Sequence, residues 1–203
     1  MENTMRLVCF GDSICYGYGA RPGEGWVSKL AWKLAALSPP ISVINAGING
    51  DTTDDGLARM RRDVERHHPQ GVYIQFGLND CSSWGASSQI SRQRYIANIR
   101  EMLERSFRCG AHVVFLATNH PVEDAFPFGS DAYQKTVIAY NAALREQFWG
   151  MRGVVGVDIE RHVLTDCPSP ERLVLSDGVH LSRAGNDFYC TTVAGYVMRY
   201  LKG

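Results

Sequence analysis

The chain has 203 residues, 45% of them hydrophobic, with a formal net charge of zero and an isoelectric point near 7.0. This length and composition suffice for a single domain, residues 1–203, with a sizeable core. A neutral chain lacks the strongly basic face of a nucleic-acid-binding protein, so no nucleic-acid partner is predicted. The densest group of basic side chains is interleaved with acidic ones, which predicts a solvated helix face. This group comprises Arg59, Arg61, Arg62 and Arg66, among Asp54, Asp55, Asp63 and Glu65.

Cysteine usage and the N-terminus bear on the compartment. The six cysteines are scattered without a C-x-x-C pair, which favours reduced thiols over a disulfide framework or a zinc site. Only four consecutive apolar residues precede Gly11, too few for the apolar region of a secretory signal. No stretch approaches the roughly 20 apolar residues of a membrane span. A cytoplasmic protein without a membrane span is predicted.

Apolar runs and helical periodicity alternate along the chain. Five runs predict buried strands, at Leu7–Phe10, Ile41–Ile44, Val72–Phe76, Val113–Ala117 and Val154–Val157. Residues with helical spacing lie between the runs, and a last helix is predicted from about Ser182 to Leu201. Strands that alternate with helices of this length predict a five-stranded parallel sheet covered on both faces, a three-layer α/β/α sandwich.

A serine follows the first predicted strand in a tight turn, Gly11-Asp12-Ser13-Ile14. Its backbone N–H and the start of the next helix face any negative charge that develops there. A hydroxyl is a poor nucleophile near neutral pH, so it needs an imidazole to take its proton and a carboxylate to orient that imidazole. Asp177 and His180, near the other end of the chain, have the chemistry for these two roles.

Two more motifs follow predicted strands. Gly50 comes after the second strand and Asn79 after the third. Ligands of open parallel sheets bind outside the carboxyl ends of the strands. There the Gly50 backbone N–H and the Asn79 side-chain amide would both be aimed at an oxyanion. Together with Ser13, these residues predict an acyl-transfer site.

Each motif alone has a simpler interpretation. Gly-Asp-Ser and Ser-Asp-Gly are common turn sequences, Asn79 fits an Asx-turn, and Gly50 suits a backbone with positive φ. Cys15 lies close to Ser13 but lacks its position in the turn, so it is a weaker candidate nucleophile. The fixed order of the motifs, with three at the ends of the first three strands, favours one shared site.

Neighbouring polar residues are assigned supporting roles. Asp51 and Thr52 are predicted to cap the helix that carries Leu57. Asp12 and Asp80 are predicted to anchor their turns by hydrogen bonding.

In these local contexts, Ser13, Gly50, Asn79 and His180 resemble the four marker residues of the SGNH, or GDSL-like, hydrolase family, over nearly the whole chain. The resemblance implies a flavodoxin-like fold with strand order 2-1-3-4-5. It also implies Ser13, Asp177 and His180 as catalytic residues, and Ser13, Gly50 and Asn79 as the oxyanion hole. Ile14 stands where the best-known signature has leucine, and Leu181-Ser182 stands where many members have Pro-Asn.

The expected activity is hydrolysis of a small-molecule carboxylic ester through an acyl-serine, without a metal or organic cofactor. The ending from Asp177 to Ser182, with Gly185 after it, resembles members that act on short acetate esters and acetylated sugars, so short acyl chains are favoured. Three alternatives stay open: a thioesterase or lysophospholipase activity on longer chains, a non-catalytic binding protein on the same fold, and a flavodoxin-like mononucleotide binder.

Residues of the loops after the predicted strands are candidates for substrate contact, because such loops surround a site at the sheet edge. Tyr16, Trp84 and His120 are the candidates chosen. Packing of the aromatic rings onto the domain and a simple turn at His120 are the competing interpretations. Other aromatic residues of these loops are Tyr18, Phe126 and Phe128.

Overall fold

The computed structural model describes residues 5–82, 90–122 and 131–201. The strands are β1 (Met5–Gly11), β2 (Ile41–Gly47), β3 (Gly71–Gln75), β4 (Val113–Ala117) and β5 (Val154–Val157). The helices are α1 (Ser13–Tyr16), α2 (Trp26–Ala35), α3 (Thr53–Asp63), α4 (Leu78–Cys81), α5 (Arg92–Arg108), α6 (Asp131–Phe148), α7 (Ile159–Asp166) and α8 (Arg183–Leu201). Short 3₁₀ turns lie at Glu65–His67 and Pro170–Arg172. Each of the five predicted strands is confirmed.

The strands form one parallel sheet in the order β2-β1-β3-β4-β5, which confirms the predicted order. Helices α2 and α8 pack together on one face, while α3, α5 and α6 cover the other. The three-layer sandwich is therefore confirmed. The described part of the chain contains no helix with the length and apolar character needed to cross a membrane.

The central strands are buried on both faces, as expected for a parallel sheet between two helical layers. Leu7, Val8, Cys9 and Phe10 of β1 are fully buried, and all residues of β3 and β4 are buried as well. The edge strand β2 is more exposed. These buried central strands fix the positions of the carboxyl ends of β1 and β3, and residues of the candidate site come directly after those ends.

The helix that follows β2 starts with a side-chain cap. The Thr52 hydroxyl accepts from the Asp55 N–H, and the Asp55 carboxylate accepts in return from the Thr52 N–H. This capping box satisfies backbone donors that a helix start leaves open. The predicted capping role is confirmed for Thr52, whereas Asp51 instead pairs with Arg59.

The basic group on α3 differs from the sequence interpretation at one position. Arg62 is exposed, but the Arg59 side chain is only 8% exposed and forms ion pairs with Asp51 and Asp63. A solvated face was therefore the wrong prediction for Arg59. The Arg59 side chain extends to the carbonyls of Gly11 and Ala46, at the ends of β1 and β2, and charge patterning along one helix does not reveal this.

Candidate active site

Strand register brings the ends of β1, β2 and β3 level with one another. Gly11 is paired with Gly47 on one side and with Gln75 on the other. Ser13, Gly50 and Asn79 follow these three residues by only a few positions. The sheet therefore places the three motifs at one edge, as the sequence predicts.

Ser13 opens α1, a single helical turn immediately after β1. The Asp12 carboxylate caps this turn by accepting from the Ile14 N–H at 2.9 Å. A side chain at Gly11 would meet both the Cys15 Sγ and the Gln75 carbonyl at 2.5 Å, so the turn folds back tightly on the sheet. The predicted anchoring role of Asp12 is confirmed.

Ser13, His180 and Asp177 form a continuous chain of hydrogen bonds. His180 Nε2 lies 3.0 Å from Ser13 Oγ, and His180 Nδ1 lies 2.7 Å from Asp177 Oδ2. A carboxylate can only accept, so Nδ1 carries the proton and Nε2 is left to accept from the serine hydroxyl. This arrangement can move a proton from Ser13 to His180 while Asp177 stabilises the resulting imidazolium.

Asp177 is held by its own turn. Burial alone would raise the pKa of this carboxyl, but hydrogen bonds from the backbone N–H groups of His180 and Val179 and from the His180 ring lower it. The two backbone bonds to Asp177 Oδ1 measure 2.8 and 2.9 Å. Asp177 is therefore a fixed carboxylate at neutral pH, which is the state needed to orient an imidazole.

Gly50 and Asn79 follow the neighbouring strand ends and line the same cavity as Ser13. Gly50 has a φ of +81°, and a side chain there would meet nothing within 4 Å, so backbone conformation rather than space favours glycine. One Asn79 Nδ2–H donates to the Asp51 carbonyl at 2.9 Å. An amide has two such donors, so the second remains for an acceptor in the cavity.

These residues line a cavity of about 290 Å³. Its polar side carries Ser13, Gly50, Asn79, Asp177 and His180, together with Thr52 and Ser82. Leu78, Tyr133 and Val179 form its apolar side. Thr52, Leu78 and Val179 are neighbours of motif residues, whereas Tyr133 belongs to α6 and carries no local signal in the sequence. The hydroxyl of Tyr133 donates to the Leu78 carbonyl at 3.1 Å, so the ring is fixed in place.

His120 has a different setting from the one expected. It is 3% exposed and does not line the cavity. Its Nε2 lies 2.8 Å from the Val179 carbonyl, and its Nδ1 lies 2.6 Å from the Tyr189 hydroxyl. A carbonyl can only accept, so Nε2 carries the proton and Tyr189 donates to Nδ1. Burial lowers the pKa of His120 to about 4, so the neutral ring holds the turn that carries His180.

Among the aromatic residues of the first loop, Tyr18 reaches the site and Tyr16 does not. The Tyr18 ring lies over His180 with ring centroids 4.2 Å apart, whereas Tyr16 is 56% exposed and does not line the cavity. The chain reverses at Gly17, which has a φ of +87°, and so carries the second tyrosine back over the imidazole. Trp84, Phe126 and Phe128 lie outside the described residues.

Two further carboxyls are buried near the site. Burial raises the pKa of Asp12 to about 7 against the lowering effect of its bond to Ile14 N–H. It also raises the pKa of Asp80 to about 6, although Asp80 accepts from the N–H and hydroxyl of Thr53. The Asp80 carboxylate therefore joins α4 to α3 through Thr53.

Cys15 is fully buried, and burial raises the pKa of its thiol well above the usual range. A thiol in that state is a poor nucleophile, which argues against the competing candidate. In the ranges that the structure covers, no three His, Cys, Asp or Glu side chains are grouped so that they could hold a metal ion.

Two curated relatives share about a third of the aligned residues. The arylesterase of Vibrio mimicus is 32% identical over 120 residues, 59% of this chain and 58% of the relative. Esterase TesA of Pseudomonas aeruginosa is 33% identical over 115 residues, 57% of this chain and 55% of the relative. The matches thus span little more than half of each relative's length.

A solved structure and a family model match much more of the chain. The crystal structure of the lipase/acylhydrolase from Enterococcus faecalis superposes with a TM-score of 0.78 at 25% identity. That match covers 96% of this chain and 95% of the other. Residues 9–188 match the model of the GDSL-like lipase/acylhydrolase family, which encloses all the residues of the cavity. With nearly its whole length accounted for in this way, the chain belongs to the GDSL-like lipase/acylhydrolase family.

Proposed function

We propose that this protein is a serine esterase that hydrolyses small carboxylic esters through an acyl-serine. The observation that carries the proposal is the continuous hydrogen-bonded chain from Ser13 through His180 to Asp177, which opens into the cavity. Membership of a lipase/acylhydrolase family and the esterase names of two relatives support the same chemistry.

In the proposed first step, Ser13 Oγ attacks the ester carbonyl and gives its proton to His180 Nε2. The C–O bond to the alcohol then breaks, and His180 returns the proton to the departing alkoxide. Asp177 holds the Nδ1–H throughout and stabilises the imidazolium between the two transfers. Water repeats the sequence on the acyl-serine and releases the acid.

The oxyanion formed in both steps would accept from the Ser13 and Gly50 backbone N–H groups and from the second N–H of Asn79. Donors fixed before the reaction stabilise this charge without reorganisation. The Asn79 amide is fixed in this sense, because its other N–H is bound to the Asp51 carbonyl.

A short acyl group is the proposed substrate preference. The cavity volume of about 290 Å³ lies at the lower end of the range for small-molecule sites, and Leu78, Tyr133 and Val179 provide apolar surface for a short chain. A longer acyl chain would extend beyond the surface that these residues provide.

The proposal is tested with p-nitrophenyl esters from acetate to dodecanoate, using wild type, Ser13→Ala and Asn79→Ala. Ser13→Ala should abolish turnover, and Asn79→Ala should lower kcat by about 10²–10³, the usual cost of one oxyanion donor. Ser42→Ala is the matched control, because Ser42 is exposed on β2 and should leave activity unchanged. Turnover that survives in Ser13→Ala would overturn the mechanism, and a rate that rises towards dodecanoate would overturn the short-chain preference.

A further inference from the structure

Arg59 is a buried cation beneath the strand ends that carry the candidate site. Its side chain is only 8% exposed, whereas that of Arg62, on the next turn of α3, is 60% exposed. The guanidinium carbon lies 4.6 Å from the centre of the Phe10 ring. Burial of a charge is unfavourable unless its donors are hydrogen-bonded, so the partners of the Arg59 guanidinium determine where this side chain is held.

The guanidinium joins three separate segments of the chain. Its Nη2 donates to the Gly11 carbonyl at 2.9 Å, at the end of β1. Its Nη1 donates to the Ala46 carbonyl at 2.8 Å, near the end of β2, and to Asp63 at 3.0 Å. Its Nε lies 2.5 Å from Asp51 Oδ2, in the turn after β2.

Two of these partners, Gly11 and Asp51, lie beside residues of the site. Gly11 precedes Ser13 by two positions, and its carbonyl also accepts from the Ile48 N–H at 3.1 Å. Asp51 directly follows Gly50. The backbone carbonyl of Asp51 is the anchor of the Asn79 amide. The planar Arg59 guanidinium is therefore bonded to the chain near Ser13 and Gly50. It also binds Asp51, the residue whose carbonyl anchors the Asn79 amide.

We propose that Arg59 is a positioning residue for the oxyanion hole: its guanidinium, acting through Asp51 and the Gly11 carbonyl, fixes the Gly50 and Asn79 donors relative to Ser13. This inference rests on the proposed esterase function. It assigns Arg59 no contact with substrate.

Lysine is a poor replacement because of geometry. A guanidinium presents its donors in a fixed planar fork, whereas an ammonium group is a compact point charge on a flexible stem. Lysine at position 59 keeps the charge but cannot hold Gly11, Ala46 and Asp51 at once. The Asp51 turn would then shift, and an error of about 1 Å in such a constellation can cost about 10²-fold in rate.

The test is a double-mutant cycle in kcat for p-nitrophenyl acetate, with Arg59→Lys made in the wild type and in Asn79→Ala. In the wild-type background, Arg59→Lys should lower kcat by about 10- to 100-fold and change KM by less than about threefold. In Asn79→Ala the further loss should be clearly smaller than in the wild type, because one of the two donors that Arg59 positions is already gone. Arg62→Lys should leave kcat unchanged in both backgrounds, although Arg62 also pairs with Asp63.

A merely structural role gives a different pattern. It would lower the urea midpoint and reduce kcat by the same factor in both backgrounds, and this additive result would overturn the inference. Asp51→Asn weakens the interaction between Arg59 and Asp51 by changing Asp51 instead of Arg59. It removes the charged partner of Arg59 Nε and keeps the backbone carbonyl that anchors Asn79. Asp51→Asn should show the same non-additivity with Asn79→Ala. If Arg59→Lys does not fold, the double-mutant cycle with Asp51→Asn tests the positioning role in its place.

The esterase function and the positioning role can fail separately. Wild-type turnover that is lost in Ser13→Ala, combined with additive effects at Arg59, would leave the esterase intact and remove only the positioning role. Absence of turnover by wild type on every ester would overturn the function, and the inference about its oxyanion hole would fall with it.

Discussion

Replacement of Asp12 by asparagine should make the protein more stable at high pH and leave its stability at low pH nearly unchanged. The Asp12 carboxyl is fully buried; one oxygen caps α1, and the other has no hydrogen-bond partner among the residues that the structure describes. Asparagine keeps an oxygen for the Ile14 N–H and removes the ionisable group. The main difference between the two side chains is the charge that aspartate can carry, so the effect of the substitution on stability should depend on pH.

The magnitude follows from the pKa of Asp12, which burial raises from 3.8 to about 7. Below about pH 4 the carboxyl is protonated in both folded and unfolded chains, and its contribution to stability is fully present. As pH rises from about 4 to 7, the unfolded chain ionises while the folded one stays neutral, so the free energy of unfolding falls by up to about 1.4 kcal/mol per pH unit. The wild type should therefore lose on the order of 4 kcal/mol relative to Asp12→Asn by pH 8.

The assay is urea unfolding of wild type and Asp12→Asn at several pH values from 4 to 8, compared as differences so that other groups cancel. Asp80→Asn is a useful contrast, because Asp80 is buried but accepts from Thr53 through both oxygens. At low pH Asp80→Asn should be less stable than the wild type, since an amide cannot accept through both positions. This deficit should shrink as pH rises from about 4 to 6, because the raised pKa of Asp80 lowers the stability of the wild type over that range. A difference between wild type and Asp12→Asn that stays constant from pH 4 to 8 would refute the reasoning.

Two further predictions concern the buried His120 behind the site and the accessibility of the six thiols. His120→Phe should lower the free energy of unfolding by about 1–3 kcal/mol and also lower kcat for p-nitrophenyl acetate, because the Val179 carbonyl loses its donor. Tyr189→Phe leaves that bond in place and removes the donor to Nδ1 together with the acceptor of the Gln75 amide, so it should have the smaller effect on kcat. Equal effects on kcat would contradict this account. In the folded protein, Ellman's reagent should react readily with Cys109 and Cys167 alone, because Cys9, Cys15, Cys81 and Cys190 are buried. Denaturant should expose all six thiols, and rapid modification of Cys15 in the native state would contradict its burial.

The sequence determined the five strands and the edge of the sheet where the site lies. Apolar runs and helical spacing are local signals, and the five strands began and ended within a few residues of their predicted bounds. Parallel strands place their carboxyl ends together, so motifs directly after β1, β2 and β3 had to meet at one edge. For this reason Ser13, Gly50 and Asn79 were found as one site without knowledge of side-chain directions.

Only the tertiary structure decided the direction of individual side chains and their distant partners. Tyr16 and Tyr18 are equivalent by pattern, but the reversal at Gly17 places only Tyr18 over His180. His120 follows β4 like a site residue, yet both of its ring nitrogens bond to groups about 60 or more residues away in the chain. Arg59 looks like its exposed neighbours on α3, and its partners at Gly11 and Ala46 come from other strands. Local patterns record periodicity and turn chemistry, whereas burial of a polar group is decided by acceptors that only the folded chain brings within reach.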